Sequence, residues 1–208
     1  MDQLMTIHAY SSDHEERVRV IVFIGILSVL AAWLLHLLLG YIPLSIPWWI
    51  DTPSVLGFFA LIRAVFDRSL WQSMLVRKTF GIVVPDLNGS WKGQLVSSYT
   101  DHFSPLDAEL TISQTWTSIV ISLETASSIS RSRAAAFVID QPGRISLIYE
   151  YLCEPRSVAT DTMHTHRGTA ELHINSNGTL LEGEYYTGRD RQTYGTLNLQ
   201  RVSRTTVL

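Results

Sequence analysis

Val20–Leu39 reads VIVFIGILSVLAAWLLHLLL, 20 residues without a formal charge. As a helix, at 1.5 Å per residue, it spans about 30 Å, the thickness of a bilayer's hydrocarbon core. A cleaved signal peptide carries a shorter apolar region, about 7–15 residues, followed by a small-residue cleavage site. Here the run ends in Leu39-Gly-Tyr-Ile-Pro43, so an uncleaved span is expected. The low charge extends beyond it. At the chain average of 17% charged residues, the segment Val20–Ile62 should carry about seven charges. It carries one, Asp51.

Pro43, Pro47 and Pro53 mark the next stretch as a loop, and Trp48-Trp49 suit a membrane–water interface. Asp51 or Thr52 can cap a second helix with Pro53 in its first turn. That helix continues as SVLGFFALIRAVF, with Arg63 near its far end and Asp67-Arg68 beyond. Its uncharged part is short for a crossing; including Pro47–Trp49 and letting Arg63 snorkel brings it close to the required length. A two-span hairpin over 18–66 is therefore expected, with a re-entrant or interfacial second helix as the alternative. Val20, Leu39, Trp48, Trp49 and Arg63 are its membrane residues. Arg17 and Arg19 precede the first span, Arg63, Arg68, Arg77 and Lys78 lie toward the far side of the second, and Gly40–Thr52 contains no Lys or Arg. Positive-inside then puts both termini in the cytoplasm. The sequons at Asn88 and Asn177 would not meet the glycosylation machinery there, and Asn177-Gly178 reads as a hairpin turn.

The whole chain has 208 residues, 46% hydrophobic, with 16 Lys plus Arg against 19 Asp plus Glu and a formal net charge of −3. A core is affordable in size, and bulk charge gives no reason to expect DNA or RNA as a partner. The single cysteine, Cys153, excludes an internal disulfide and any multi-Cys metal site.

After Pro85 the pattern changes to period-two alternation rich in Thr, Ser, Val, Ile and Tyr. Eight strands are predicted near Gly89–Tyr99, Leu106–Gln114, Trp116–Thr125, Ser127–Asp140, Arg144–Glu154, Met163–Ile174, Thr179–Arg189 and Thr193–Val202. Short hairpin-like connections without crossover helices predict an eight-stranded antiparallel up-and-down β-barrel, lipocalin-like, with a two-sheet sandwich as the alternative. Eight strands enclose just enough room for side chains or one small ligand.

Parity along these strands nominates an interior. Ala108, Leu110 and Ile112 share a face, as do Ile119, Ile121 and Leu123. On the fourth strand Ile129, Ala135, Phe137 and Ile139 share a face with Arg131 and Arg133, so both arginines point inward unless a bulge intervenes. Ile145 and Leu147 go with Tyr149 and Tyr151; Ala170, Leu172 and Ile174 with His164 and His166; Leu181 and Gly183 with Tyr185 and Arg189. Aliphatic residues thus occupy one end of each face and Arg, Tyr or His the other. An interior arginine needs a partner. An anionic ligand would supply one, since guanidinium binds phosphate and aromatic rings stack on bases. Arg131, Arg133, Tyr149, Tyr151, His166, Tyr185 and Arg189 are therefore the candidate ligand residues. The alternative is a wet rim, or pairing with Glu154, Glu182 or Glu184.

There is no P-loop, Rossmann glycine fingerprint or nucleophile elbow. His164-x-His166 lacks a third ligand of matching parity, and Cys153 carries no thiol-catalysis signal. No enzyme, metal or cofactor is expected.

The order of parts resembles the CD-NTase-associated membrane effectors of bacterial CBASS anti-phage defence. The resemblance rests on the Val20–Phe66 hairpin, on Leu87-Asn-Gly-Ser-Trp-Lys-Gly93, and on the closing stretches Leu181-Glu-Gly-Glu-Tyr-Tyr-Thr-Gly-Arg189 and Thr193-Tyr-Gly-Thr-Leu-Asn-Leu199. It implies a cytoplasmic N-terminal segment (1–17), the hairpin (18–66), a connector (67–86) and a cytoplasmic sensing barrel (87–208). It further implies a multi-pass protein of the bacterial inner membrane whose barrel binds a cyclic dinucleotide made by a nucleotidyltransferase. Binding would drive homo-oligomerisation, bilayer disruption and death of the infected cell. Two other functions fit the residues alone: a membrane-anchored barrel carrying a lipophilic ligand, and a membrane scaffold recruiting a protein.

Overall fold

A computed structural model describes residues 7–12, 15–39, 41, 51–99, 104–141, 144–161, 163–189 and 191–204. The chain divides into two compact units, one made of 14–83 and the other of 84–208 together with the N-terminal 1–13.

In the helical unit, α1 (Glu16–Leu39) is apolar on every side. Ile21, Val22, Phe23, Ile26, Val29, Leu30, Trp33 and Leu34 are exposed along it. Such a helix belongs in lipid or in a large core, and α1 is the one described helix long and apolar enough to cross a membrane. It packs beside α2 (Asp51–Arg68), which carries exposed Arg63 on its second half. A short α3 (Met74–Phe80) ends at Gly81 in the left-handed region, φ 63°, where a side chain would be strained. Phe80 meets Phe23 edge-on at 4.8 Å. The buried Glu16 carboxylate accepts a hydrogen bond from the Val83 backbone N–H at 2.7 Å. Trp48 and Trp49 lie outside the described residues.

Among the described residues the second unit is a mixed sheet of nine strands that closes in a ring. These are β1 (His8–Ser12), β2 (Gly89–Ser97), β3 (Leu106–Gln114), β4 (Ser118–Glu124), β5 (Ser128–Gln141), β6 (Arg144–Pro155), β7 (His166–Ile174), β8 (Leu180–Thr187) and β9 (Tyr194–Ser203). Strands β2 to β9 are the eight expected from alternation, each within a few residues of its predicted bounds. Their antiparallel order runs β4-β3-β2-β9-β8-β7-β6-β5.

Two expectations are corrected. The ring has nine strands, not eight, and it is not wholly antiparallel. β1 pairs antiparallel with β4 (His8↔Ile119, Ala9↔Ser118) and parallel with β5 (Tyr10↔Ala135, Ser11↔Ala136, Ser12↔Phe137). β4 and β5 pair with each other only at Ser122↔Arg131, Leu123↔Ser130 and Glu124↔Ile129. Past Ser132 an extra residue in β5 breaks register with β6, between Ser132↔Tyr151 and Ala134↔Glu150. A bulge of this kind bends its strand, and β1 fills the gap where β4 and β5 diverge.

The ring's interior is filled at one end. Trp91, Leu110, Ile112, Ile119, Ile121, Phe137, Leu147, Leu172, Leu181 and Leu199 are essentially inaccessible there. Asn88 and Gln114 interlock beneath them. The Asn88 side-chain amide donates to the Gln114 carbonyl at 2.8 Å, and the Gln114 backbone N–H donates to Asn88 Oδ1 at 2.6 Å. Trp91 Nε1 donates to the Leu87 carbonyl at 3.1 Å. Arg201 stacks over the Trp91 ring at 4.7 Å and donates to the Asp86 and Asn88 carbonyls. The Leu87–Gly93 stretch therefore seals this end.

Candidate functional site

The other end of the same interior is hollow. A cavity of about 320 Å³ opens there. Its floor is aliphatic, from Leu95 on β2, Leu123 on β4, Ala170 on β7 and Leu197 on β9. Above the floor the wall turns polar. β5 contributes Ser128 and Ser130, β6 contributes Tyr149, Tyr151 and Cys153, β7 contributes His166, and β8 contributes Tyr185. The loops at the mouth add Tyr99 and Arg191.

Two glycines make room for the tyrosines. Gly168 lies opposite Tyr151 across β6–β7, and a methyl group on it would overlap the Tyr151 hydroxyl. Gly195 lies opposite Tyr185 across β8–β9, where an added Cβ would come within 2.6 Å of the Tyr185 ring. Both phenols are thereby pressed toward the interior. Tyr149 and Tyr151, two residues apart on β6, have ring centroids 6.1 Å apart.

The electrostatics of this wall are distinctive. Burial pushes the phenols of Tyr149, Tyr151 and Tyr185 up, so all three remain neutral hydrogen-bonding groups near neutral pH. Cys153 and His166 face each other directly across β6 and β7. Burial raises the Cys153 thiol, but hydrogen bonding from His166 and Ser130 outweighs it and holds the thiol below its usual range. The partnership with Cys153 raises His166 in turn. His166 Nδ1 donates to the His164 carbonyl at 2.9 Å, which fixes the ring. The cation at the mouth, Arg191, stacks over the Tyr99 ring at 4.1 Å.

Of the seven ligand candidates from parity, four meet at this cavity: Tyr149, Tyr151, His166 and Tyr185. The three arginines do not. The inward orientation expected for Arg131 and Arg133 is corrected by the β5 bulge. Ser128, Ser130 and Ser132 are the inward residues before it, and Ala135 and Phe137 after it. Arg131 therefore lies on the outer face, where its guanidinium pairs with Glu154 at 2.9 Å. Arg133 is the extra residue and is exposed. Arg189 is exposed on the turn after β8, and Arg191, two residues on, is the arginine that reaches the cavity.

Sequence reasoning missed Arg191, Ser128, Ser130 and Cys153 as lining residues. Cys153 alone carried a usable signal, since it shares parity with Tyr149 and Tyr151. Among the described residues no group of three or more His, Cys, Asp or Glu is placed to hold a metal ion.

A family profile falls on this unit, and full-length relatives extend over most of the chain. Residues 82–201 match the family profile described as Cap15, cyclic dinucleotide receptor domain. CD-NTase-associated protein 15 of Yersinia aleksiciae is 31% identical over 185 residues, covering 86% of this chain and 85% of that protein. The protein of the same name from Staphylococcus schleiferi is 26% identical over 155 residues, covering 74% and 81%. The cavity-bearing ring therefore corresponds to the receptor domain, and the chain belongs to the Cap15 family of CBASS effectors.

Proposed function

We propose that this chain is a membrane-disrupting CBASS effector whose receptor domain binds a cyclic dinucleotide in the open end of its ring. The observation that carries the reading is that end itself: neutral tyrosines, serine hydroxyls, His166 and a mouth arginine above an aliphatic floor. Each element suits part of the ligand. Aromatic rings offer stacking faces for bases, hydroxyls both donate and accept along base edges, and a guanidinium pairs with phosphate oxygens. Tyr149, Tyr151, His166 and Tyr185 are the proposed contacts within the wall, with Arg191 as the phosphate anchor.

In this reading the ring is a lipocalin-like barrel to which β1 is added. The α1–α2 pair forms an inner-membrane hairpin with both chain termini in the cytoplasm, where a CD-NTase releases the nucleotide. Binding drives homo-oligomerisation, the assembled hairpins breach the bilayer, and the infected cell dies before phage are released. The driving free energy is the difference in ligand affinity between resting and assembled states.

The test is thermal melting of the full chain in detergent with cyclic di-adenylate, cyclic di-guanylate, cyclic guanylate–adenylate and cyclic uridylate–adenylate. At least one should raise the melting temperature, and the same one should release a membrane-impermeant dye from vesicles holding the protein. Flat melting across the panel would overturn the ligand assignment. The aliphatic floor gives a lipophilic ligand its best support; a lipid that copurifies with the chain and is not displaced by any cyclic dinucleotide would favour that reading instead.

A further inference from the structure

The strand that closes the ring is the one least bound into it. β1 has five residues, with two register pairs to β4 and three to β5. Two side chains anchor it. Tyr10 is buried edge-on against Phe137 at 5.3 Å, its hydroxyl donating to the Trp116 carbonyl at 2.9 Å. His8 Nε2 meets Ser132 Oγ at 2.7 Å. In sequence β1 is separated from the other eight strands by the whole helical unit, and the family profile begins at residue 82, after both. Removing β1 leaves β4 at 118–119 and β5 at 135–137 with unpaired edges, a template for another strand. The slot selects by main-chain register and by the Tyr10 pocket. His8-Ala-Tyr-Ser-Ser12 of a second copy fits both by identity.

The ligand cavity and this seam share a strand. Ser128 and Ser130 line the cavity, and Ser132, the next inward residue on β5, is where the seam is pinned. Its hydroxyl accepts from the Ile121 backbone N–H at 2.9 Å as well as meeting His8. Its register partner, Tyr151, is itself a cavity residue. A ligand pressing on Ser128, Ser130 and Tyr151 acts one register step from the contact that holds β1.

We infer that β1 is an exchangeable strand: ligand binding releases it from its own seam, and β1 of a second copy takes its place, linking subunits during activation. This rests on the cyclic dinucleotide reading above. The exchange is a domain swap, in which donor and acceptor contacts already exist within one chain. In sequence only residues 13–15 separate Ser12 from α1, so an exchanged β1 stays tethered to its own chain by a short connection.

The test uses Ala9→Cys and Ser118→Cys, exposed and half-buried Cα partners across β1–β4, in the full chain in detergent. The probe is whichever of the four cyclic dinucleotides raises the wild-type melting temperature. The oxidised double variant, with β1 locked in its own chain, should bind the probe without assembling, and reductant should restore assembly. In a mixture of the two single variants the probe should raise interchain disulfide at least roughly tenfold over the ligand-free mixture. The exchange is overturned if the locked chain assembles like wild type, or if the single variants assemble with the probe yet form no interchain disulfide. The mixture decides the matter even where the double variant does not fold. If no probe binds wild type, the cyclic dinucleotide reading fails, and a ligand-driven exchange fails with it; intact binding and assembly without interchain disulfide sinks the exchange alone.

Discussion

The two ends of the ring interior are made from the same strands and differ in what those strands place inside. On β6, Leu147 is fully buried in the packed end, while Tyr149, Tyr151 and Cys153 on the same face line the cavity. On β2, Trp91 belongs to the first and Leu95 to the second. At the packed end polar groups satisfy one another within the wall, as Asn88 and Gln114 do. At the open end hydroxyls, an imidazole and a thiol face a space. A small closed sheet thus holds a packed end and a hollow end along one axis. Trp91→Ala should break the packed end, costing about 3–5 kcal/mol because it leaves a large unfilled volume. Leu123→Ala, already bordering a cavity, should cost about 2 kcal/mol, at the low end for such truncations. Denaturant titration of both variants checks this; equal losses would erase the distinction between the two ends.

The open end is broken most directly at Arg191. Arg191→Ala should weaken cyclic dinucleotide binding about 10- to 100-fold, the usual weight of a hydrogen bond to a charged group. Its melting temperature without ligand should stay close to wild type, since the residue lies at the mouth and not in the packed core. Calorimetric titration of wild type and variant measures the first effect and a melting curve the second. Loss of stability with unchanged affinity would make Arg191 a packing residue.

Eight of the nine strands were readable from sequence because most set an apolar face against a polar one, and β4 and β5 carry β-branched and aliphatic runs bounded by turn residues. β1 was not readable. His8-Ala-Tyr-Ser-Ser12 has one large apolar-faced side chain, Tyr10, and its partners lie more than 100 residues away. The tyrosines and His166 were readable because parity holds along unbroken strands. Arg131 and Arg133 were misread because one inserted residue in β5 changes which side chains face inward. Arg191 was invisible to parity because it sits in a loop, where no period applies. Family resemblance identified the ligand class that these residues left open.

Titration contrasts the two ends in another way. The phenols of Tyr149, Tyr151 and Tyr185 are raised by burial, whereas in the unfolded chain they ionise near pH 10. Above that pH the unfolded state releases protons that the folded state retains, so stability is full below about pH 10 and falls as pH rises further. Between its unfolded-state and folded-state titrations, a phenol held up by burial contributes a slope of up to about 1.4 kcal/mol per pH unit. Tyr149→Phe should therefore flatten the alkaline limb of the stability–pH curve by one such step. An unchanged limb would mean that the Tyr149 environment is wet, and that the hollow end admits more solvent than its burial indicates.

The smallest effect is expected where the sequence alone pointed most strongly. Arg131→Ala removes a guanidinium that parity sends inward but the bulge turns outward, to Glu154 at 2.9 Å. Both partners are about one-third exposed, and ion pairs of that kind contribute about 0–1 kcal/mol. Affinity for the cyclic dinucleotide should stay within about twofold of wild type, since that factor corresponds to less than 0.5 kcal/mol. Glu154→Gln should behave the same way, because it removes the same pair from the other side. A loss in Arg131→Ala comparable to that of Arg191→Ala would mean that ligand binding repacks β5 and swings Arg131 into the cavity. In that event the bulge at Arg133 would be a moving part of recognition, and Ser132, beside it, would shift in the same step. Agreement with wild type instead leaves Arg191 as the cation that answers the ligand's phosphates at this mouth.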